Sequence, residues 1–325
     1  MKTYLIPQTD LTVSRIAYGC GMLAGWDRGP LGTEDTVRAS RLIHTAHDQG
    51  INFFDHADLY GFGRSETLFG EVLKGSPGLR NKLVIQSKCG QVFPPEWQKW
   101  GDPIRVNLTR GHLVSSAEGS LKRLGTDHLD ILLLHAPSAL IEPDQVAEAF
   151  DSLHQSGKVR YFGVSNYTPA QIRLLKRSVR QPIVVNQIRL GLGYPETFID
   201  GMEFTVALAR GGGSALKGVR DGTLDFCRLE NIQIQAWSPL RGDLLSPKPD
   251  SPREVRAAAT KLSELAKAKE TSPSALALAW LLHSRAGIVP VIGTTSPKHI
   301  IENCTADRLT LNDDEWYDLL AAAAP

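Results

Sequence analysis

Long apolar runs are missing from this sequence of 325 residues. No stretch approaches the roughly 18 apolar residues that a membrane-spanning helix needs. Pro7, Gln8 and Asp10 also come before any apolar core of signal-peptide length. We therefore expect a protein that is neither secreted nor embedded in a membrane.

A strong charge of one sign is missing as well. The chain has 36 Lys and Arg against 35 Asp and Glu, which leaves a net charge of +1. Because no strong field favours nucleic acid or an anionic membrane, we expect neither as a partner. The charge balance favours chemistry on a small molecule.

Cysteine is scarce, and its spacing excludes two classes of site. Cys20, Cys89, Cys227 and Cys304 are widely scattered, and none of them belongs to a C-x-x-C pattern. The sequence therefore predicts neither a disulfide framework nor a cysteine-rich zinc site. A reducing cytoplasm is the expected location.

What the sequence does contain is a regular alternation of short apolar runs and stretches of helical period, after an N-terminal hairpin. The first helix is predicted over Thr33–Gln49, with Thr33 as N-cap and Gly50 as its stop. Eight such units favour α/β architecture, with residues 1–325 forming a single (β/α)8 TIM barrel. The eight predicted strands are Ile16–Cys20, Asn52–Asp55, Leu83–Lys88, Ile131–His135, Arg160–Ser165, Val184–Gln187, Ile232–Trp237 and Val289–Gly293.

Polar or aromatic side chains stand at the ends of the predicted strands. In a parallel barrel these carboxyl ends converge on one mouth, where catalytic groups lie. Any one of these residues could be polar merely because the chain meets solvent there. Together they supply a carboxylate, an ammonium, an imidazole and amides, which favours an active site. They are Asp55, Lys88, His135, Ser165, Asn166, Gln187, Trp237 and Ser238.

Residues 50–61 read GINFFDHADLYG and are followed by GRSE at 63–66. This segment resembles the G-I-N-x-x-D-T-A-x-x-Y-G signature of the aldo-keto reductase family. The resemblance implies an aldo-keto reductase barrel that reduces an aldehyde or ketone with NADP(H). Further matching blocks follow in the same order, at residues 85–88, 129–135, 157–166, 186–187, 236–240, 290–293 and 302–303.

Carbonyl reduction needs a hydride at carbon and a proton at oxygen. A tyrosine with a pKa of about 10 is a slow donor near neutrality unless a nearby cation stabilises its phenolate. The resemblance implies that Tyr60 is the proton donor, that Lys88 with Asp55 lowers its pKa, and that His135 orients the carbonyl. Taken singly, Tyr60 could be a loop aromatic, His135 a core histidine, and Asp55 with Lys88 a structural ion pair.

No side chain supplies a hydride, so a nicotinamide cofactor is implied. By the resemblance, Ser165, Asn166 and Gln187 bind the carboxamide, and Trp237 stacks on the nicotinamide ring. A helix beginning near Ser296 or Pro297, expected to be the last one, would offer N–H groups to a phosphate. The remaining cofactor residues are expected to be Gly21, Met22, Asp55, Ser238, Pro239, Leu240, Gly242, Gly293, Thr294, Lys298, His299, Glu302 and Asn303.

Two residues depart from the family pattern. His56 stands where Thr or Ser is common, and His299 stands where Arg or Gln is common near the adenosine 2′-phosphate. Because a histidine is mostly neutral at pH 7, the preference for NADP over NAD rests on Lys298, Thr294 and the family pattern.

The loops at the mouth are expected to select the substrate. Trp26, Trp97 and Trp100, together with Tyr60 and His135, predict an apolar or aromatic carbonyl compound, although the tryptophans could instead pack the loops. Residues 191–222 form an insertion after the sixth strand that contains three consecutive glycines. We interpret this insertion as a candidate lid.

Three other readings compete. Residues 19–24 match the G-x-G-x-x-A pattern of a Rossmann turn, but the chain stays irregular until about Thr33. His44 and His47 lie three residues apart, yet no third metal ligand is near and no His-x-His pair occurs, so no metal is expected. Some proteins of this fold act mainly as regulatory subunits of ion channels, which the sequence does not exclude.

A monomer or weak homo-oligomer is expected.

Overall fold

Eight parallel strands close into a barrel at the centre of the molecule. The computed structural model describes residues 1–26, 29–97, 102–200, 222–240 and 242–324. Each barrel strand pairs with the next along the chain, and the last pairs with the first through Val291 and Ala17. The barrel strands are Ala17–Gly19, Phe53–Asp55, Val84–Cys89, Leu129–Leu134, Val159–Ser165, Ile183–Arg189, Gln233–Trp237 and Val289–Ile292.

All eight predicted strands are therefore confirmed, and the (β/α)8 barrel with them. Among the described residues, two short hairpins lie outside the barrel, one of Thr3–Leu5 with Thr12–Ser14 and one of Gln91–Val92 with Arg105–Val106. Ile6, Leu11 and Val13 of the N-terminal hairpin region are buried in one apolar cluster with barrel residues such as Phe53. The predicted N-terminal hairpin thus packs against the interior of the barrel.

Helices surround the barrel. Several of them bury one apolar face, whereas the helix over Pro273–His283 is buried on all sides from Ala275 to Leu282. The described helices are Thr33–Asp48, Arg64–Gly75, Arg110–Leu124, Pro143–Gln155, Pro169–Leu175, Glu196–Ile199, Thr223–Leu229, Gly242–Leu245, Arg253–Ala268, Pro273–His283, Pro297–Cys304 and Asp313–Ala323. Ser296 is the N-cap of the helix over Pro297–Cys304, as predicted. That helix is not the last one, because Asn312 caps a further helix at its own N-terminus.

The first helix differs from its prediction at one end. Its N-cap is Gly32, and Thr33 is the first helical residue. The Gly32 N–H donates to Asp35 Oδ2 at 3.0 Å, so an acidic side chain in the first turn pairs with the capping residue's backbone. At the other end Gly50 has a φ of +88°, a left-handed conformation that terminates the helix as expected.

The Rossmann reading is wrong, because residues 20–22 form a single turn of 3₁₀-helix and the next helix begins only at Thr33. All four cysteines are buried and free of disulfides. Within the described ranges, no helix is long and apolar enough to cross a membrane. The same residues contain no group of three or more His, Cys, Asp or Glu side chains that could hold a metal ion.

Candidate active site

Tyr60, Lys88 and Asp55 form a chain of contacts at the carboxyl ends of the second and third barrel strands. Lys88 Nζ donates to Tyr60 Oη at 3.1 Å and to Asp55 Oδ2 at 2.6 Å. It also donates to the carbonyl oxygen of His56 at 2.9 Å. These three acceptors match the three donors of an ammonium group, so the buried lysine has a partner for each of its N–H groups.

The strands and one tight loop bring these residues together. Asp55 lies beside Gln86 in the strand register, and Lys88 follows two residues later on the same face. The Asp58 N–H donates to the Lys88 carbonyl at 2.9 Å, which holds the loop carrying Tyr60 against the strand carrying Lys88. Gly61 has a φ of +55°, and a Cβ there would lie 2.8 Å from the Gly25 carbonyl oxygen, so the turn after Tyr60 requires glycine.

The charges in this chain act on each other strongly. Burial lowers the pKa of Lys88, but the neighbouring Asp55 and Tyr60 more than offset it, and the pKa lies above its ordinary value. Burial raises the pKa of Tyr60, the Lys88 ammonium opposes this, and the net direction is upward. The lysine therefore acts on the phenol in the expected sense, but the expected net lowering of the Tyr60 pKa is not found. The reason is that burial disfavours the phenolate and the Asp55 charge adds to that effect.

The His135 ring packs against the Tyr60 ring edge to face. The two ring centroids are 5.9 Å apart and the rings are nearly perpendicular. Burial and the Lys88 charge hold the pKa of His135 well below its usual range, so the imidazole is neutral near pH 7. Its Nδ1 is buried and has no hydrogen-bond partner among the described residues. A neutral imidazole offers one N–H donor and one acceptor to a bound molecule.

Three buried glutamines lie around Asp55, and sequence reasoning assigned a role to only one of them. Gln86 Nε2 and Gln187 Nε2 donate to Asp55 Oδ1 at 2.6 and 2.9 Å. Both nitrogens also donate to Gln235 Oε1, at 2.8 and 2.9 Å. Gln86 and Gln235 were missed, although a glutamine inside a predicted barrel strand was a usable signal, because buried amides need partners.

Gln187, predicted to bind a carboxamide, thus uses its nitrogen within the barrel. Ser165 Oγ donates to the Gln187 carbonyl oxygen at 2.8 Å, and Asn166 Nδ2 donates to Ser165 Oγ at 3.1 Å. Trp237 Nε1 donates to Asn166 Oδ1 at 2.9 Å. The four residues predicted around the nicotinamide are therefore contiguous. Asn166 and Ser238 have φ values of 62° and 51°, a strained conformation typical of functional sites.

A cavity of about 760 Å³ lies between the seventh and eighth barrel strands and the helix over Pro297–Cys304. Asn303 Oδ1 is buried there without a described partner, and Ser274 Oγ donates to Glu302 Oε1 at 2.7 Å. Lys298 is exposed nearby and does not line the cavity. The predicted cofactor residues that do line it are Met22, Ser238, Pro239, Leu240, Gly293, Thr294, His299, Glu302 and Asn303.

Two other predicted cofactor residues flank this region. A Cβ at Gly21 would lie 3.6 Å from the Tyr60 ring, so the glycine leaves room beside the tyrosine. Gly242 begins the short helix Gly242–Leu245. Gly242 thus lies in the segment after the seventh barrel strand, as the sequence predicts.

Aromatic rings form a wall beside Tyr60. The Trp26 ring lies 6.4 Å from the Tyr60 ring, 6.1 Å from Phe62 and 6.3 Å from Phe93, centroid to centroid. Trp97 packs against Phe93 at 4.3 Å and forms the layer behind it. Phe62 and Phe93 were not predicted, although both follow strands whose ends carry candidate catalytic residues. Trp100 and residues 201–221 of the candidate lid lie outside the described residues.

His56 is buried beside this site, with neither ring nitrogen hydrogen-bonded to a described residue. Burial and the Lys88 charge lower the pKa of His56 to about 3. Below pH 6.5 an unfolded chain takes up a proton on this histidine and the folded chain does not, so folding stability falls as the pH falls. From pH 7 to pH 5 this one group removes about 2 kcal/mol.

We therefore expect His56→Thr to flatten the pH dependence of stability. Denaturant unfolding at pH 5 and pH 7 should show that the wild type loses about 2 kcal/mol more than the variant over this interval. The cavity that the smaller side chain leaves lowers the stability of the variant equally at both pH values. It therefore cancels when the stability change from pH 7 to pH 5 is compared between the two proteins. Parallel stability curves for the two proteins would contradict the burial of a neutral His56.

Known proteins are similar to this chain in both sequence and fold. The Aldo/keto reductase family model matches residues 15–197 and 212–323. The chain is 35% identical over 315 residues to the uncharacterized oxidoreductase YcsN of Bacillus subtilis, which covers 96% of this chain and 95% of that protein. It is 33% identical over 313 residues to a 6-dehydroglucose reductase of Agrobacterium fabrum, covering 96% and 95% of the two chains. The structure of the glycerol dehydrogenase of Gluconobacter oxydans superposes with a TM-score of 0.80 at 25% identity, covering 99% and 96%. The chain belongs to the aldo/keto reductase family.

Proposed function

We propose that this chain reduces an aldehyde or ketone to the alcohol, with NADPH as hydride source and Tyr60 as proton donor. The observation that carries the proposal is the buried chain from Tyr60 Oη through Lys88 Nζ to Asp55 Oδ2, with contacts of 3.1 and 2.6 Å. An ion pair that served structure alone would have no need of a phenol as third partner. The position of this chain at the carboxyl end of a barrel supports a catalytic role.

The residues present fit a nicotinamide dinucleotide. Asn303 Oδ1 and the Glu302 carboxylate offer acceptors to an adenine amine from the wall of the 760 Å³ cavity. Ser165, Asn166 and Gln187 would hold the carboxamide, and Trp237 the nicotinamide ring. When bound, this cofactor would supply the hydride to the carbonyl carbon.

The chain's own residues handle the proton. Because the pKa of Tyr60 is raised, its phenol stays protonated near pH 7 and is available as a donor. The neutral His135 would donate its N–H to the carbonyl oxygen and so fix that oxygen near Tyr60 Oη. Tyr60 gives its proton to the alkoxide oxygen that forms, and the Lys88 ammonium stabilises the phenolate left behind. A proton from water restores the phenol.

We further propose that NADPH is preferred over NADH because of Lys298. This exposed lysine is the second residue of the helix over Pro297–Cys304, beside His299 in the cavity wall. Lys298→Ala should weaken NADPH binding about five- to tenfold and leave NADH binding nearly unchanged, since only NADPH carries the 2′-phosphate. Fluorescence titration with both cofactors measures the difference. Equal affinities for the two cofactors in the wild type would refute the preference.

The substrate proposed here is a neutral carbonyl compound held against the aromatic wall of Trp26, Phe62 and Phe93. A relative is named for reducing 6-dehydroglucose and a structural neighbour for oxidising glycerol. A neutral sugar aldehyde is therefore the alternative, because the apolar C–H face of a sugar also packs on aromatic rings. Alcohol formation from aromatic, aliphatic and sugar aldehydes, with each cofactor, decides between the two classes. Failure of every aldehyde and ketone tested would contradict the proposed function itself. A cytoplasmic location remains part of the proposal.

A further inference from the structure

The amides around Asp55 form a closed network inside the barrel. Gln86, Gln187 and Gln235 are each no more than 2% exposed, and they come from the third, sixth and seventh barrel strands. Besides the four bonds described above, Gln235 Nε2 donates to Gln86 Oε1 at 3.0 Å. Gln86 and Gln187 thus bond the same carboxylate oxygen, and Gln235 bonds both of them, although the three residues lie far apart in the chain.

Elementary hydrogen-bond chemistry fixes the direction of every bond. An ionised carboxylate only accepts, so Gln86 and Gln187 must both turn their NH₂ groups toward Asp55 Oδ1. Each then has a second N–H, and Gln235 must present its oxygen to both of them. The Gln235 NH₂ is thereby directed at Gln86 Oε1. The charge on Asp55 thus determines the orientation of all three amides.

The side-chain oxygen of Gln187 takes no part in this hydrogen-bond network. Among the residues that the structure describes, no hydrogen bond reaches Gln187 Oε1, and this atom is not among their buried unpartnered oxygens. It therefore retains accessible surface. Because both hydrogens of its amide are bonded within the barrel, Gln187 can offer a bound molecule only this acceptor.

We propose that Gln86 and Gln235 are positioning residues, which hold Asp55 Oδ2 on Lys88 and fix Gln187 with only its oxygen available to the cofactor carboxamide. This inference rests on the proposed function. Gln86 acts directly on Asp55, whereas Gln235 acts only through Gln86 and Gln187. An apolar side chain at 235 would leave two buried N–H groups without acceptors, and the amides would turn to find others.

The two glutamines should be separable by what each change affects. Gln86→Met removes a hydrogen bond to the Asp55 carboxylate, so kcat should fall about tenfold and the pH profile of kcat should shift. Gln235→Met leaves both bonds to Asp55 possible but frees Gln187 to turn. Its main effect should be on recognition of the carboxamide N–H₂ group.

The test compares NADPH with its reduced 3-acetylpyridine analogue, which keeps the carbonyl oxygen but has no amide N–H to donate. The wild type should bind NADPH about three- to tenfold more tightly than the analogue, and Gln235→Met should bring this ratio close to one. Gln233→Met is the matched control, because Gln233 is a buried glutamine on the same strand that donates and accepts nothing in the network. The control should keep the wild-type ratio and kcat.

The outcomes distinguish the two levels of the proposal. A wild type that binds NADPH and reduces aldehydes, with Gln235→Met and Gln86→Met both unchanged in ratio, kcat and pH profile, overturns the positioning roles alone. A wild type that neither binds NADPH nor reduces a carbonyl overturns the proposed function and this inference together. If Gln235→Met does not fold, the pH profile of Gln86→Met still decides the matter. A shifted profile supports the network and an unshifted one contradicts it.

Discussion

Tyr60→Phe should lower kcat for carbonyl reduction by about 10² to 10⁴-fold while NADPH binds with nearly wild-type affinity. The variant keeps the ring that packs beside Trp26 and His135 and removes only the hydroxyl 3.1 Å from Lys88 Nζ. General acid catalysis by one positioned group typically contributes an effect of this size. Steady-state kinetics and fluorescence titration measure the two quantities on the same preparation.

Tyr161→Phe is the matched control for this prediction. The Tyr161 hydroxyl donates to Asp10 Oδ1 at 2.9 Å, near the N-terminal hairpin and away from the candidate site. Its loss should leave kcat unchanged. Turnover at the wild-type rate in Tyr60→Phe would eliminate this tyrosine as the proton donor.

Lys88→Met should abolish most activity and also destabilise the fold by about 3–5 kcal/mol. The ammonium and the Asp55 carboxylate are both buried, with side chains only 1% and 3% exposed. Removing one partner of a buried ion pair leaves the other charge uncompensated, which typically costs this much. Gln86 and Gln187 still donate to Asp55, so the loss should lie toward the smaller value.

The double variant Asp55→Asn with Lys88→Met separates catalysis from stability. With both charges removed, the free energy of unfolding should recover most of what Lys88→Met loses. Activity should not recover, because no cation then stabilises the Tyr60 phenolate. A double variant that regained turnover along with stability would mean that Asp55 and Lys88 are a structural ion pair. The double-mutant cycle consists of the wild type, Asp55→Asn, Lys88→Met and the double variant, each measured by denaturant unfolding and steady-state kinetics.

The sequence predicted the barrel well because its signals are local and repeated. Six of the eight predicted strands end in, or are followed by, a polar or aromatic residue, and several helices show one apolar stripe, as in Ala39, Leu42, Ile43 and Ala46. The helix end at Gly50 was predictable for the same reason. The N-cap was not, because the pairing of Gly32 with Asp35 depends on which of two adjacent residues takes the extended conformation.

The candidate site was predictable only in part. Asp55, Lys88 and His135 could be predicted because they lie at the ends of predicted strands. Tyr60 could be predicted because it lies in the motif over residues 50–61. Gln86 and Gln235 are in the interior of strands, 149 positions apart in the chain, and their pairing depends on the closure of the barrel. The raised pKa of Tyr60 depends on the burial around it, which the sequence does not give.

The most direct test of the account is multiple turnover of NADPH by the wild type. We predict that the protein binds NADPH and, with excess aldehyde, converts many equivalents of cofactor while forming one alcohol for each NADPH consumed. Tight binding of NADPH without turnover of any carbonyl would contradict this account. It would favour the alternative reading of the chain as a regulatory protein that binds the cofactor without reducing a carbonyl.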